Sequence, residues 1–357
     1  MKNIYFQIGE TDPLTQGVVL ATVTAATGST PQKPGSSAIF INGKLIAGTV
    51  GGGVVENKVM DYAGRCAVTG ESALLGFNLD KEGPDPEDAL CGGTLTILVD
   101  ADPLRHIGVF REMQQNILEG LPGVLVTSIT GSDNASIQIK RYWTTGETDL
   151  PLPAESRGRI MEEAARILAS GGKSGYREVQ FPAFDAIESA RPMRFLLEPV
   201  FPLPRLVIAG AGHVGKAVSH MGRFIGFEVT VIDDRGEYAN SKNLPDADNI
   251  IVNDIGLAMS DIRKNKDTFI VIVTRGHSSD AQALKPCIGS GAAYVGLMGS
   301  KVKVATMRAK FLENKWATET EWDEIFTPIG LEIGSQTVEE IAVSIAAQLV
   351  RVRGIKS

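Results

Sequence analysis

The sequence contains few cysteines and few histidines. The three cysteines, Cys66, Cys91 and Cys287, are an odd number without Cys-x-x-Cys spacing, and the four histidines are widely separated. A disulfide framework needs paired cysteines, and a structural zinc site needs closely spaced Cys and His ligands. We therefore expect no disulfide scaffold, no metal ion held by side chains alone, and a reducing, cytoplasmic environment.

Positive charge and long apolar runs are also lacking. The chain has 35 Lys and Arg against 42 Asp and Glu, a formal net charge of −7. Binding of nucleic acid requires a basic surface, which this balance does not favour. No apolar run approaches the roughly 20 residues that cross a bilayer, and the first residues, MKNIYFQIGETDPL, lack the apolar core of a secretory signal. We expect neither nucleic acid nor a membrane as a partner.

What is present fits two globular domains. The 357 residues are 43% hydrophobic and 22% charged, an ordinary composition for a chain of this size. Three prolines in FLLEPVFPLPRLVIAG (195–210) stand directly before an apolar run, and proline favours extended linkers. We place the boundary there, which predicts domains at 1–201 and 202–357.

The second domain alternates short apolar runs with amphipathic stretches. The runs are 206–209, 228–233, 249–254, 268–274, 292–298 and 324–330, and a helix is expected in SQTVEEIAVSIAAQLVRVR (335–353). Strands separated by helices of this length form a parallel sheet with helices on both faces. The fold class is therefore α/β, with a Rossmann-like C-terminal domain.

The first domain has a less regular pattern, which predicts an α+β fold. Asn42-Gly43 divides SSAIFINGKLIAGTV (36–50) into a hairpin, after a strand in VVLATVTAATG (18–28). A helix is expected at 54–68, and others at 105–119 and 157–170. Strands are expected in CGGTLTILVD (91–100) and at 123–130. The acidic segment EGPDPED (82–88) is expected to be a mobile loop.

A glycine cluster, GAGHVG (210–215), opens the second domain. It follows an apolar strand and precedes a helix, and Asp233 ends the next strand, eighteen residues after the last glycine. In a dinucleotide-binding turn Gly210 permits the bend, Gly212 admits a pyrophosphate and Gly215 packs the helix on the sheet. Asp233 would then accept from a ribose hydroxyl, whereas Arg235 favours a 2′-phosphate. The alternative is a Rossmann fold that keeps its glycines for packing alone.

TRGHSSD (274–280) follows the fourth strand of this domain, at the edge where ligands bind in such sheets. His277 and Asp280 are candidates for acid and base there, because histidine exchanges a proton near neutral pH. The alternative is a loop histidine with local hydrogen bonds. A Ser-His-Asp triad from these adjacent residues is not expected, since neighbours in sequence rarely reach triad geometry.

The first domain has its own glycine cluster, GTVGGG (48–53), between a strand and a helix. It lacks the Gly-Lys-Ser/Thr ending of a P-loop. Together with GSTPQKPGSS (28–37), the glycines at 51, 52 and 53 predict either a nest of backbone amides for an anion or a tight turn that needs positive φ. Glu56, in the first turn of the helix, is a lesser candidate for a functional polar group. The alternative is that its negative charge only favours the helix dipole.

Cys91 is the candidate reactive thiol. It precedes Gly92-Gly93 after the acidic segment, where small neighbours leave a thiol approachable. Buried packing is an equal alternative for Cys91 and the better interpretation for Cys66, within a helix, and Cys287, beside apolar residues.

Several motifs, in order, closely resemble the XdhC/CoxI family of xanthine dehydrogenase accessory proteins. They are GSTPQKPGSS, GTVGGGVVENKV, CGGTLTILVD, LVIAGAGHVG, VIDDR, TRGHSSD, YVGLMGSKVK and PIGLEIGSQTVEEIAVSIAAQLVRVR. The resemblance implies a cofactor chaperone more than a catalyst, one that assists maturation of molybdenum hydroxylases. The sequence departs from the family pattern at Gln32, where an arginine is usual, and this weakens an anion clamp in that loop.

The resemblance also implies ligands and partners. The cofactor is expected to be molybdenum cofactor (molybdopterin), held by Gly51, Gly52, Gly53, Cys91, Gly210, Gly212, His213, Gly215 and Asp233, with Cys91 also a possible molybdenum ligand. The expected partners are a xanthine dehydrogenase-like apoenzyme, a cysteine desulfurase and a second copy of the chain. The alternatives are an NAD(P)-dependent oxidoreductase that uses Asp233 and His277, and a non-catalytic nucleotide-sensing module.

Overall fold

The structure is a computed structural model that describes residues 3–79, 92–131, 137–147, 149–171, 175–181 and 193–356. The chain divides into two compact units, Lys2–Pro202 and Leu203–Ser357, so the division follows the second proline of the expected linker. The predicted acidic loop at 82–88 lies outside the described residues. No helix within the described part of the chain is long and apolar enough to span a membrane.

The first unit contains two antiparallel sheets. One has the order β3-β2-β1-β5-β4, built from β1 (Val18–Gly28), β2 (Ser37–Ile41), β3 (Lys44–Gly48), β4 (Ala73–Asn78) and β5 (Gly93–Asp100). The other has the order β7-β6-β9-β8, built from β6 (Gly123–Thr130), β7 (Gln138–Thr144), β8 (Arg177–Phe181) and β9 (Met193–Val200). Its helices are α1 (Ile4–Glu10), α2 (Gly53–Thr69), α3 (Ile107–Leu118) and α4 (Ala154–Ala169).

Strand β1 is buried on both faces because each face meets a different core. Val19, Ala21 and Val23 pack with α2, whose buried residues Val55, Val59, Ala63 and Cys66 recur at helical spacing. Val18 and Leu20 point the other way and pack with α1 and α3. The predicted hairpin is confirmed, since Asn42 and Gly43 have φ of 50° and 72° between β2 and β3.

The second unit is a parallel five-stranded sheet. The strands are β10 (Arg205–Ala209), β11 (Glu228–Asp233), β12 (Asn249–Val252), β13 (Thr268–Ile272) and β14 (Tyr294–Leu297), in the order β12-β11-β10-β13-β14. The order reverses at β10, so the crevice between the carboxyl ends of β10 and β13 is the usual place for a ligand. The helices are α5 (His213–Phe224), α6 (Ile255–Asp261), α7 (His277–Leu284), α8 (Lys301–Glu313), α9 (Glu319–Asp323) and α10 (Val338–Lys356).

Helices cover both faces of this sheet. Leu206, Ile208 and their neighbours on one face pack with α5 and α10, and Val207, Ala209 and theirs on the other pack with α6, α7, α8 and α9. This confirms the predicted Rossmann-like domain. The predicted sixth strand at 324–330 is wrong: only one bridge, between Gly296 and Phe326, forms beside β14. Pro328 has no N–H to donate, so the ladder does not continue.

Candidate functional site

The turn from β10 into α5 contains three glycines, and the space around each of them differs. Gly210 has φ of 114°, and a Cβ there would lie 2.5 Å from the carbonyl oxygen of Val273. A Cβ on Gly215 would lie 1.9 Å from the carbonyl oxygen of Gly210. Both glycines are required by close packing. A Cβ on Gly212, by contrast, would meet nothing within 4 Å, so this residue borders open space.

The N-terminus of α5 is suited to an anion. Gly212 is the N-cap residue and provides no side-chain cap, and the first turn holds no acidic residue. The first amides of a helix have no partner within it, and the helix dipole makes this end positive. His213 and Lys216, both exposed, add a basic character to the first turn and the residues after it. The turn can therefore receive a phosphate or carboxylate.

Asp233 braces this turn. Its Oδ2 accepts from the backbone N–H of Ala211 at 2.7 Å, and its Oδ1 accepts from the backbone N–H of Arg235 at 3.0 Å. The guanidinium of Arg235 donates to both oxygens, at 2.8 and 3.0 Å, and lies over the ring of Tyr238. Burial alone would raise the pKa of Asp233, but the hydrogen bonds from Arg235 and Ala211 hold that pKa below its usual value. Both oxygens that were expected to accept from a ribose are thus engaged within the protein.

Beyond the carboxyl end of β13, a buried carboxylate on α7 forms an ion pair with a partly exposed lysine on α8. Asp280, fully buried in α7, accepts from the hydroxyl of Thr274 at 2.6 Å and pairs through Oδ2 with the ammonium of Lys303 in α8. Lys303 also donates to the carbonyl of Met298 at 3.2 Å. His277 lies exposed at the start of α7, and no hydrogen bond among the described residues joins it to Asp280. The two candidates therefore have different surroundings: Asp280 contacts Thr274 and Lys303, whereas His277 is exposed.

A groove of about 540 Å³ begins at the same end of α5. His213 and Lys216 line one side, and the opposite side is formed by the first turns of α10, with Glu339 and Val343. Ser219, on α5, also lines the groove and has a buried hydroxyl without a hydrogen-bond partner. The volume lies in the range of cavities that hold small ligands.

The glycine cluster of the first unit forms a turn with a different charge. The structure brings it against the upstream loop, because a Cβ on Gly51 would lie 3.5 Å from Cγ of Pro31. Gly52 and Gly53 have φ of 65° and 51° and border open space. The carboxylate of Glu56, however, accepts from the hydroxyl of Thr49 at 2.7 Å and from the backbone N–H of Val50 at 3.3 Å. It therefore places a negative charge at the N-terminus of α2. This end of α2 is less suited to an anion than that of α5.

The cysteines fall into two groups. Cys66 and Cys287 are buried, and burial raises their thiol pKa values to about 11 and about 12. Such thiols are not nucleophilic at neutral pH. Cys91 lies outside the described residues, and Gly92, which follows it in the sequence, accepts through its carbonyl from the N–H of Ser29 in the upstream loop at 3.2 Å. Among the described residues, no group of three or more His, Cys, Asp and Glu side chains is placed to hold a metal ion.

A larger cavity, of about 1100 Å³, lies elsewhere in the first unit. It is lined by the C-terminal half of α2, including Tyr62 and Arg65, by Asp100 at the end of β5, by His106 before α3, and by residues at the start of β7. Nδ1 of His106 is buried without a hydrogen-bond partner, and burial is the first cause that lowers the pKa of this side chain. The sequence pattern did not single out these residues, because they come from separate segments without a common motif.

Comparison with known proteins identifies both parts of the chain. Residues 206–349 match the family model described as the XdhC Rossmann domain, and residues 15–78 match the model described as the XdhC and CoxI family. The two models together cover more than half of the chain, and their order is that of the two units.

Relatives are found among curated proteins and solved structures. The chain is 24% identical to a probable xanthine dehydrogenase subunit of Bacillus subtilis over 94% of its length and 93% of that protein. It is 31% identical to "Uncharacterized protein YqeB" of Escherichia coli over 42% of its length, but this match spans 27% of that protein. A crystal structure described as a xanthine dehydrogenase from Bacillus halodurans has a TM-score of 0.76 and 21% identity, and the match covers 99% of this chain and 96% of that one. It shares the fold.

Proposed function

The chain belongs to the XdhC and CoxI family, and we propose from this premise that it is an accessory factor for molybdenum hydroxylase maturation. In this proposal it binds molybdenum cofactor, supports its sulfuration and delivers it to a xanthine dehydrogenase-like apoenzyme. A cysteine desulfurase and a second copy of the chain are its further proposed partners. The name of the Bacillus subtilis relative, which describes a probable part of xanthine dehydrogenase, supports a partner of that kind.

The observation that carries the proposal is the open N-terminus of α5. Molybdopterin ends in a phosphate, and its dinucleotide forms contain a pyrophosphate, so either form presents an anion to the protein. The free amides after Gly212, the absence of an acidic residue in the first turn and the nearby His213 and Lys216 fit that anion. The groove beside α5 has room for the attached ring system.

Different groups of the chain would then have different tasks. Gly210, Gly212 and Gly215 shape the turn that receives the phosphate, and Asp233 holds that turn in place through Ala211. The bound cofactor supplies molybdenum, whose terminal sulfido ligand the hydroxylase requires. Cys91 is proposed as the thiol that meets molybdenum or sulfur, because thiolate is a soft ligand and persulfide carrier.

An NAD(P)-dependent oxidoreductase is the alternative that shares the same turn. It needs an acceptor for the ribose and an acid or base near the nicotinamide. Both oxygens of Asp233 are engaged by Ala211 and Arg235, and His277 lies exposed with no hydrogen bond to Asp280 among the described residues. These contacts favour an anion-binding accessory factor over a dehydrogenase that uses these two residues.

The test is anaerobic purification of the chain, produced together with a xanthine dehydrogenase-like apoenzyme, followed by denaturation. We expect release of a pterin, detected by fluorescence after oxidation, together with molybdenum. Addition of the loaded protein to fresh apoenzyme should restore hydroxylase activity. Release of nicotinamide nucleotide alone, with no activation, would refute the proposal.

The thiol assignment has its own control. A Cys91→Ser variant is expected to retain the pterin but to lose the ability to deliver active, sulfurated cofactor. Cys66→Ser removes a thiol of the same unit whose pKa is about 11, and it should leave delivery unchanged. Equal delivery by both variants would remove Cys91 from the proposal and leave the phosphate site intact.

A further inference from the structure

The Rossmann-like unit holds a cation at its ligand edge that no motif predicted. Lys303 lies in the first turn of α8, directly after β14, and its side chain is 21% exposed. Its ammonium pairs with Asp280 and donates to the carbonyl of Met298 at 3.2 Å. A lysine so close to the surface would usually extend into water, so its retention against a fully buried carboxylate needs a reason.

Three features fix the position of this ammonium. The hydroxyl of Thr274 donates to the other carboxylate oxygen of Asp280 and so orients the carboxylate. Met298 supplies a second acceptor for the lysine. Gly299 leaves room for the lysine stem, because a Cβ there would lie 3.1 Å from Cδ of Lys303. A charged group whose supporting contacts are already in place loses little entropy when a ligand binds.

The cluster is connected to the glycine turn by direct contacts. A Cβ on Gly210 would lie 3.0 Å from the backbone nitrogen of Thr274, so the turn after β10 and the loop after β13 touch. Thr274 then leads to Asp280, and Asp280 to Lys303. These contacts join the carboxyl ends of β10 and β13, where the strand order reverses, to the first turn of α8, and ligands bind at this edge in doubly wound sheets.

Stability alone gives a poor account of the pair. Taking the carboxylate of Asp280 out of water costs free energy that its attraction to a partly exposed lysine often fails to recover, so the pair is a weak stabiliser. An ammonium has three N–H donors, and the described contacts give Lys303 one ion pair, with Asp280, and one hydrogen-bond acceptor, the carbonyl of Met298. An anionic oxygen of a ligand is the natural third partner, since phosphate is a strong acceptor for lysine.

We infer that Lys303 is a ligand-binding residue whose ammonium contacts a phosphate or pyrophosphate oxygen of the ligand seated at the N-terminus of α5. Asp280 and Thr274 act as positioning residues that hold this ammonium at the crevice. The inference rests on the phosphate site of the proposed function. It does not depend on the identity of the group attached to the phosphate.

The test compares Lys303→Gln with Lys301→Gln, because Lys301 is an exposed lysine two residues earlier on the same helix. Binding of inorganic pyrophosphate is measured by calorimetry, and bound pterin is measured after anaerobic purification. We expect Lys303→Gln to weaken pyrophosphate binding about tenfold or more, as loss of a charged hydrogen bond does, and Lys301→Gln to remain within about twofold of wild type. Pterin should be lost from the first variant and retained by the second.

Removal of Lys303 leaves Asp280 buried without its cation and could destabilise the fold. Two further variants therefore distinguish loss of binding from loss of folding. Lys303→Arg retains the charge and should retain pyrophosphate binding. The double variant Asp280→Asn with Lys303→Gln removes both charges, and it should unfold at a temperature close to wild type yet bind pyrophosphate as weakly as Lys303→Gln.

The outcomes separate this inference from the proposed function. Pterin retention and apoenzyme activation by a Lys303→Gln protein that also binds pyrophosphate as wild type does would overturn the role of Lys303 and leave the function standing. Pyrophosphate binding that requires Lys303, in a protein that never carries pterin, would support the role of Lys303 and refute the molybdenum cofactor. Absence of pyrophosphate binding in wild type would overturn the inference.

Discussion

The carboxylate of Asp233 accepts a hydrogen bond from the backbone N–H of Ala211 at 2.7 Å. This contact joins the end of β11 to the middle of the glycine turn after β10. An acidic residue at this place in a Rossmann fold is expected to bind a ribose, but here it stabilises the turn itself. The carboxylate of Asp233 also accepts hydrogen bonds from the backbone and the guanidinium of Arg235.

The first prediction follows from this bond. Asp233→Asn should lower the free energy of unfolding by about 1–3 kcal/mol, because it weakens hydrogen bonds of a buried, charged acceptor. Asp234→Asn is the control, since Asp234 is half-exposed and pairs with Arg235 only at 3.7 Å, and it should cost less than about 0.5 kcal/mol. Urea unfolding of both variants measures the difference. Unchanged stability of Asp233→Asn, together with weakened binding of NAD, would restore the ribose interpretation.

The second prediction separates packing from ligand contact within the glycine turn. Gly215→Ala should destabilise the protein by roughly 3 kcal/mol, because its Cβ would lie 1.9 Å from the carbonyl oxygen of Gly210. Gly212→Ala should change stability by less than about 1 kcal/mol, since its Cβ meets nothing and its φ is −69°. The second variant should nevertheless lose pyrophosphate binding, because the methyl group occupies the open side of the turn. Thermal unfolding measures the stability of both variants, and calorimetry measures their binding of pyrophosphate. Pyrophosphate binding by Gly212→Ala equal to that of wild type would contradict the prediction.

The third prediction concerns pH and a polar cluster in the first unit. The hydroxyl of Tyr5 in α1 donates to Glu198 in β9 at 2.6 Å, and burial is the main cause that raises the pKa of Glu198 to about 7. The folded state therefore holds a proton that the unfolded state releases between about pH 4.5 and pH 7. Over that window this carboxyl should make stability fall as pH rises, by at most about 1.4 kcal/mol per pH unit.

The contribution of Glu198 is isolated by substitution. Glu198→Gln should remove this fall in stability, whereas Glu178→Gln, at an exposed position in neighbouring β8, should leave it as in wild type. His106 has a lowered pKa and acts in the opposite direction near its unfolded pKa, so the wild-type and variant curves must be compared with each other. Identical pH profiles for wild type and Glu198→Gln would show that this carboxyl keeps an ordinary pKa.

The fourth prediction concerns thiol reactivity. Cys66 and Cys287 should react slowly with iodoacetamide at pH 7.5 in the native protein, because their thiol pKa values of about 11 and about 12 leave few thiolates. Rapid labelling of the folded chain should map by peptide mass spectrometry to Cys91. Denaturation in urea should then make all three react at similar rates. Rapid labelling of Cys66 in the native protein would contradict the prediction. It would show that the reagent enters the cavity that Cys66 lines and that the pKa of this thiol is lower than about 11.

Much of the second unit was predictable because its signals are local. Five of the apolar runs form β10 to β14, and residues 210–215 lead from the end of β10 into the first turn of α5, as the motif requires. The exception is 324–330, where the apolar run predicted a strand but only an isolated bridge at Phe326 forms, since Pro328 has no N–H for the next bond of the ladder. In the first unit the hairpin and α2 were predicted, whereas β4, β7, β8 and β9 were not, because the tendency of a segment to form a strand depends strongly on what it packs against in the folded protein.

The residues of the candidate site also differ in how far the sequence predicted them. Gly51, Gly52 and Gly53 were singled out because positive φ and close approach favour glycine, and the structure gives each a positive φ. No local signal in the sequence distinguishes Lys303, the last residue of YVGLMGSKVK, as a binding residue. A lysine at a helix start usually reaches solvent, and only the position of a buried aspartate on another helix distinguishes this one.

The sequence by itself determined where the strands and the glycine turns of the second unit lie, because backbone conformation and hydrophobic periodicity are set by residues close together in the chain. The tertiary structure decided which charges meet. It directed Asp233 to Ala211 and Asp280 to Lys303. Ionic and hydrogen-bond partners depend on distances of a few ångströms between segments far apart in sequence, and only the folded chain sets those distances.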